Sequence, residues 1–142
     1  MSLSTEERKA VVEFRIEKAR RAFEQAQGVV ALEYWETIAN RLYYAAYNAV
    51  SALLIAYGYS AQSHNGVIHL FGQHFVKPGI VEIADGKLYH RLFSMRLTGD
   101  YDDTYGLTSD DVLPLIAPAS ALIDKVIDLA TIKMAETKDK ED

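Results

Sequence analysis

The chain has 142 residues, the size of one ordinary domain, and a chain of that length buries roughly two thirds of its unfolded surface without staples. A hydrophobic content of 49% against 25% charged residues excludes disorder along the body of the chain, and the absence of cysteine excludes a disulfide framework, a thiolate zinc site and a cysteine nucleophile. The net charge of -5, from 15 Lys and Arg against 20 Asp and Glu, excludes a surface wrapped in nucleic acid throughout but leaves room for a local basic cleft.

Nine residues are tyrosine, and no Asp, Glu, Lys or Arg occurs between Arg41 and Lys77. Such a tract is either core or a surface kept for a partner. It is long enough to raise a membrane span, which needs about 20 apolar residues, but Asn48, Ser51, Gly58, Ser60, Gln62, Ser63, His64, Asn65 and Gly66 interrupt it. Charges at Glu6, Glu7, Arg8 and Lys9 stand where a secretory leader needs an apolar stretch. The reading is a cytoplasmic protein.

In chain order, the pattern predicts helices only. Ser4 with Glu7 forms a capping box, and Val11, Val12, Phe14, Ile16, Ala19, Ala22, Phe23 and Ala26 give the first helix an apolar stripe as far as Gly28. A second helix is predicted over about 34–57, stopped by Gly58 in a left-handed position. Ser63 caps a third through His74 or Phe75, ended by Pro78-Gly79. A fourth spans about Val81 to Leu97 and stops at Gly99. After a polar loop from Asp100 to Thr108, a fifth starts near Thr108, with Pro114 and Pro118 expected to bend or delay it. Lys138 to Asp142 read as a frayed tail. The fold class is all-α: one domain over residues 1–142, a bundle of four to five helices with mainly antiparallel neighbours.

The second helix carries two faces. Ala39, Leu42, Ala46, Ala49, Val50 and Leu53 form one, small enough for a neighbouring helix to approach closely. Asn40, Arg41, Tyr44, Asn48 and Ser51 form the other, polar but nearly uncharged. That stripe is either a buried polar network or a subunit interface or ligand groove, where Tyr and Asn serve equally well.

Several chemistries are excluded. His64, His69 and His74 are spaced by five, so on a helix they diverge by about 140° and cannot share an ion. Neither Glu-x-x-His nor His-Glu-x-x-His occurs, and His69 and His74 read as structural. The loop from Asp100 resembles a calcium loop poorly, because the glycine comes one place late and the twelfth position is Asp111 rather than Glu. No metal or cofactor is expected. Phosphate-cradling and nucleophile-elbow motifs are absent. Arg15, Lys18, Arg20 and Arg21 form the densest basic cluster, of a kind that is usually a solvated face.

Three segments in register carry a family resemblance: Asn40-Arg41-Leu42-Tyr43-Tyr44-Ala45-Ala46-Tyr47; Ser63-His64-Asn65-Gly66-Val67 with Phe71 and Phe75-Val76-Lys77; and Arg96-Leu97-Thr98-Gly99-Asp100-Tyr101. Together they resemble the HEPN (higher eukaryotes and prokaryotes nucleotide-binding) domain in its small prokaryotic single-domain form. The resemblance implies a helical bundle that forms homodimers and acts with a minimal nucleotidyltransferase as a toxin–antitoxin pair. It also implies, for many members, a metal-independent ribonuclease whose motif is Arg, four to six residues, then His.

Here the matching arginine is Arg96, and four to six intervening residues lead to Tyr101, Asp102 or Asp103, none of them histidine. Candidate catalytic residues are therefore Arg96, Asp100 and Tyr101, although an ordinary Asp is too acidic to shuttle protons well at neutral pH; Arg96 and Asp100 read equally as an ion pair closing the loop. Candidate ligand-binding residues are Asn40, Arg41, Tyr44, His64 and Asn65, with His64 at a helix start that can hold an anion or simply order the turn. Three functions follow: a HEPN dimer that binds a nucleotidyltransferase partner and a nucleotide or RNA; a ribonuclease using Arg96 with Asp100, Tyr101 or His64; or an interaction module without a ligand.

Overall fold

The computed structural model describes residues 3–101 and 106–141, excluding the side chains of 98–101 and 137–141. Helix α1 covers Thr5–Gly28, α2 Trp35–Ala56, α3 His64–Phe71, α4 Ile83–Tyr101 and α5 Ser109–Glu141, with a 3-10 turn at Val30–Leu32 and a π-helical segment at Gly72–Val76. Among the described residues there is no strand, so the all-α expectation holds.

α1 begins as its sequence requires. Ser4 Oγ accepts from the Glu7 amide at 3.1 Å while the Glu7 carboxylate accepts from the Ser4 amide at 3.0 Å, satisfying two end donors at once. The short link into α2 turns the chain back on itself. Arg8 bonds the Ile55 carbonyl, Arg15 bonds Asn48 and Gln25 accepts from Arg41; rising numbers on α1 against falling ones on α2 make the pair antiparallel.

α2 is the central helix and packs against α1, α3, α4 and α5. Ala39, Leu42, Ala46, Ala49, Val50 and Leu53 are all buried, as the wheel predicts. Burial extends around most of its circumference, to Ile38, Tyr43, Ala45, Ala52 and Leu54. This explains the α2 part of the tract without charges: a helix packed by neighbours around most of its circumference has little solvated surface on which to keep Lys or Glu. The first helix departs from its predicted stripe at one place, Phe14, which is 57% exposed.

The later helices correct the predicted boundaries. Gly58 takes φ +88° and ends α2 as expected. α3, capped by Ser63 Oγ on the Gly66 amide at 2.9 Å, is α-helical only to Phe71 and then widens, with the Lys77 amide reaching back five residues to the Gly72 carbonyl at 2.9 Å. α4 starts two residues later than predicted, where the Asp85 carboxylate accepts from the Glu82 amide at 2.9 Å and from Lys125 of α5 at 2.8 Å. It also runs through Gly99 to Tyr101 rather than stopping there. α5 is not delayed: it starts at Ser109, and Thr108 donates to Asp111 through both backbone and hydroxyl. Pro114 and Pro118 lie inside this helix on an exposed line four residues apart, so the carbonyls they leave unbonded face water.

Candidate functional site

Five aromatic rings and two basic groups from three helices meet around Tyr43. Tyr43, Tyr44 and Tyr47 are placed together by helical spacing on α2. His64 arrives from the first residue of α3, and Tyr89, Phe93 and Arg96 arrive from successive turns of α4. The Tyr43 ring stacks on Tyr89 at 6.1 Å between centroids with 7° between planes, and lies 5.6 Å from both His64 and Phe93. His64 packs against Tyr47 at 4.6 Å. The Arg96 guanidinium carbon stands 5.2 Å from the Tyr43 ring centre, 5.8 Å from that of Tyr44 and 5.7 Å from that of Phe93, within the range where ring faces attract a cation.

Electrostatics follow from this burial. Tyr43 has no exposed surface, and desolvation pushes its phenol well above the ordinary tyrosine value despite the nearby Arg96 charge. Tyr43 therefore keeps its proton and shares a hydrogen bond with His64 Nδ1. His64 is pushed below its ordinary value of 6.5, first by desolvation and then by the Arg96 charge. Its imidazole is thus neutral at pH 7. With the phenol donating to Nδ1, the ring proton is assigned to Nε2, which becomes a donor.

Of the residues singled out from the sequence, Arg96, His64 and Tyr44 share this cluster. Asn40 and Arg41 stand one step away: the Arg41 guanidinium donates to the Asn40 side-chain oxygen, Oδ1, at 2.7 and 3.0 Å and lies 5.3 Å from the Tyr44 ring. Asn65 is exposed at the first turn of α3. Asp100 and Tyr101 end α4, and their side chains lie outside the described residues, as does the Arg96–Asp100 ion pair; the calcium-like loop falls largely outside them too. The polar stripe of α2 divides. Asn48 and Ser51 are buried, Asn48 accepting from Arg15 at 2.9 Å and donating to the Tyr44 carbonyl at 2.8 Å, whereas Asn40, Arg41 and Tyr44 are half-buried, and Arg41 and Tyr44, with the edge of Asn48, line a groove.

Tyr43 and Tyr47 went unassigned in the sequence, although their spacing with Tyr44 is a visible signal. Phe93 and Tyr89 gave none, since helix α4 shows them only as apolar positions. His74 is structural: its ring stacks on Tyr59 at 4.1 Å. Among the described residues no group of three or more His, Asp or Glu is placed to hold a metal ion, and no helix is long and apolar enough to cross a membrane.

Among the described residues, then, a helical bundle gathers a late-helix arginine, an imidazole and several tyrosines into one cluster. The model of the HEPN domain matches residues 12–129, and the chain belongs to that family. It is 35% identical over 120 residues, 84% of its own length and 91% of the relative's, to a UPF0332 protein of Thermotoga maritima. It is also 25% identical over 117 residues, 82% of the chain and 80% of the relative, to a protein of Methanocaldococcus jannaschii named as a putative toxin.

Proposed function

We propose that this HEPN protein is the toxin-like member of a paired system and that it works by binding the phosphate of a nucleotide or RNA at the Arg96–His64 cluster. One observation carries the reading. Two groups far apart in sequence, a permanently charged guanidinium and an imidazole, stand against the same tyrosine ring, Arg96 at 5.2 Å and His64 at 5.6 Å between centres. The guanidinium supplies charge and a fork of donors for phosphate oxygens. The Nε2 hydrogen of His64 supplies another, and the surrounding rings are stacking faces for a base. Two relatives that carry the name putative toxin support the toxin-like role, while homodimerisation and a nucleotidyltransferase partner rest on the family resemblance.

A ribonuclease is the second reading, and a specific observation favours it: His64 supplies an imidazole beside Arg96 that the chain lacks after Arg96 in sequence. The tautomer weighs against it as the resting arrangement. A neutral imidazole that accepts at Nδ1 and carries its hydrogen at Nε2 offers the ligand a donor rather than a base.

Calorimetry of the purified protein with uridine 5′-monophosphate tests the binding reading. Binding is expected to tighten once the pH falls through the lowered pKa of His64, because a protonated imidazole adds charge, and to disappear in Arg96→Ala. Absence of binding by the wild type sinks it. Cleavage of RNA that is lost in both Arg96→Ala and His64→Gln, with folding intact, moves the assignment to the ribonuclease. The solution mass tests the homodimer, and co-purification with the product of the adjacent gene tests the partner.

A further inference from the structure

A groove of about 470 Å³ runs between α1 and α2 on the side of the cluster. Its α1 wall is formed by Phe14, Lys18 and Arg21, spaced by four and three and so aligned on one face, and its α2 wall by Arg41 and Tyr44. Phe14 is 57% exposed, a large apolar cost in water for a ring that contributes nothing to the core, and the Lys18 ammonium lies 5.2 Å from its centre. Three cations against one carboxylate, Glu17, make the groove locally basic on a chain whose net charge is -5. The groove also touches the cluster: Tyr44 lines it, and the Arg41 and Arg96 guanidinium carbons stand 5.3 and 5.8 Å from that one ring.

From this arrangement we infer that the α1–α2 groove is a track for single-stranded polynucleotide, holding the nucleotides that flank the one seated at Arg96 and His64. The inference rests on the binding reading given above and names the ligand class. Alternation of cations with an exposed aromatic ring matches a strand that offers a phosphate and an unstacked base at each step. A duplex hides its base faces, so Phe14 has nothing to stack on. An acidic peptide satisfies the three cations but leaves Phe14 without a role.

Anisotropy with a fluorescent 12-residue oligouridylate, read beside calorimetry with uridine 5′-monophosphate, tests the track. Phe14→Ala is expected to weaken the oligomer about tenfold. The double variant Lys18→Gln/Arg21→Gln is expected to reduce the slope of log affinity against log salt by about 1.4, or about 0.7 per phosphate contact on a single strand. Both should leave the mononucleotide affinity unchanged, and Glu17→Gln should tighten the oligomer alone. These four side chains are exposed, so the variants fold. Unchanged oligomer binding by Phe14→Ala and by the double variant, with both ligands still lost in Arg96→Ala, overturns the track and leaves the cluster reading standing. Equal binding of a duplex, or displacement of the oligomer by oligoglutamate as effectively as by unlabelled strand, also overturns it. Failure of the wild type to bind either ligand overturns both.

Discussion

His64 is the side chain on which sequence and structure differ most in meaning. As a residue after Ser63 it reads as a helix-start group; in the fold it is an imidazole held by Tyr43 and repelled by Arg96. Its lowered pKa has a definite consequence for stability. An unfolded chain takes up the proton as the pH falls through about 6.5 while the folded chain still resists, so stability declines there and levels off only below the folded value. Urea midpoints at pH 7.5 and 5.0 should therefore fall further for the wild type than for His64→Gln. In Arg96→Gln the histidine pKa, followed by NMR, should rise toward 6.5 without reaching it, since desolvation is the larger cause. A drop below the wild-type value contradicts the assigned charge contact. Tyr43→Phe removes the hydroxyl that fixes the imidazole and should cost about 1 kcal/mol by denaturant titration.

Elements were legible where local chemistry decides them and obscure where neighbours do. The Ser4–Glu7 box, the Gly58 stop and the Ser63 cap each depend on a few adjacent residues, and each forms as read. The end of α3 does not. Its last turn widens into a π-helical segment beside α4, where an added Cβ at Gly86 would meet Val76 Cγ2 at 2.9 Å. No pattern within either helix announces that approach. Gly86→Ala should destabilise by about 1–3 kcal/mol through overpacking, and Val76→Ala in the same chain should recover part of the loss. A neutral Gly86→Ala by thermal melting shows that the contact yields freely. The prolines of α5 teach the same lesson: their missing donors matter only if the freed carbonyls are buried, and exposure on the helix surface is a property of the packed molecule.

At the scale of the whole molecule, α2 sets the dimensions of the bundle. Alanines at 39, 45, 46, 49 and 52 are each at most 1% exposed, so neighbouring helices approach to the thickness of a methyl group. Ala49→Leu should cost about 1–3 kcal/mol in a denaturant titration, while Ala10→Leu, on the exposed side of α1, should stay within about 0.5 kcal/mol of the wild type. Equal effects at the two sites argue against α2 as the tightly packed centre.

Periodicity, caps and turn residues suffice for the helices and for the face of α2 that enters the core, because those depend on residues within a turn or two of one another. The tract from 42 to 76 is legible as buried or partnered on its lack of charge alone. The choice between those possibilities belongs to tertiary structure, and so does the site. Three-dimensional packing buries Asn48 and Ser51 while leaving Arg41 and Tyr44 half-exposed along a groove. It also carries His64 across to Arg96, a pairing that linear spacing never contains because the two side chains come from different helices and meet only through the rings of a third.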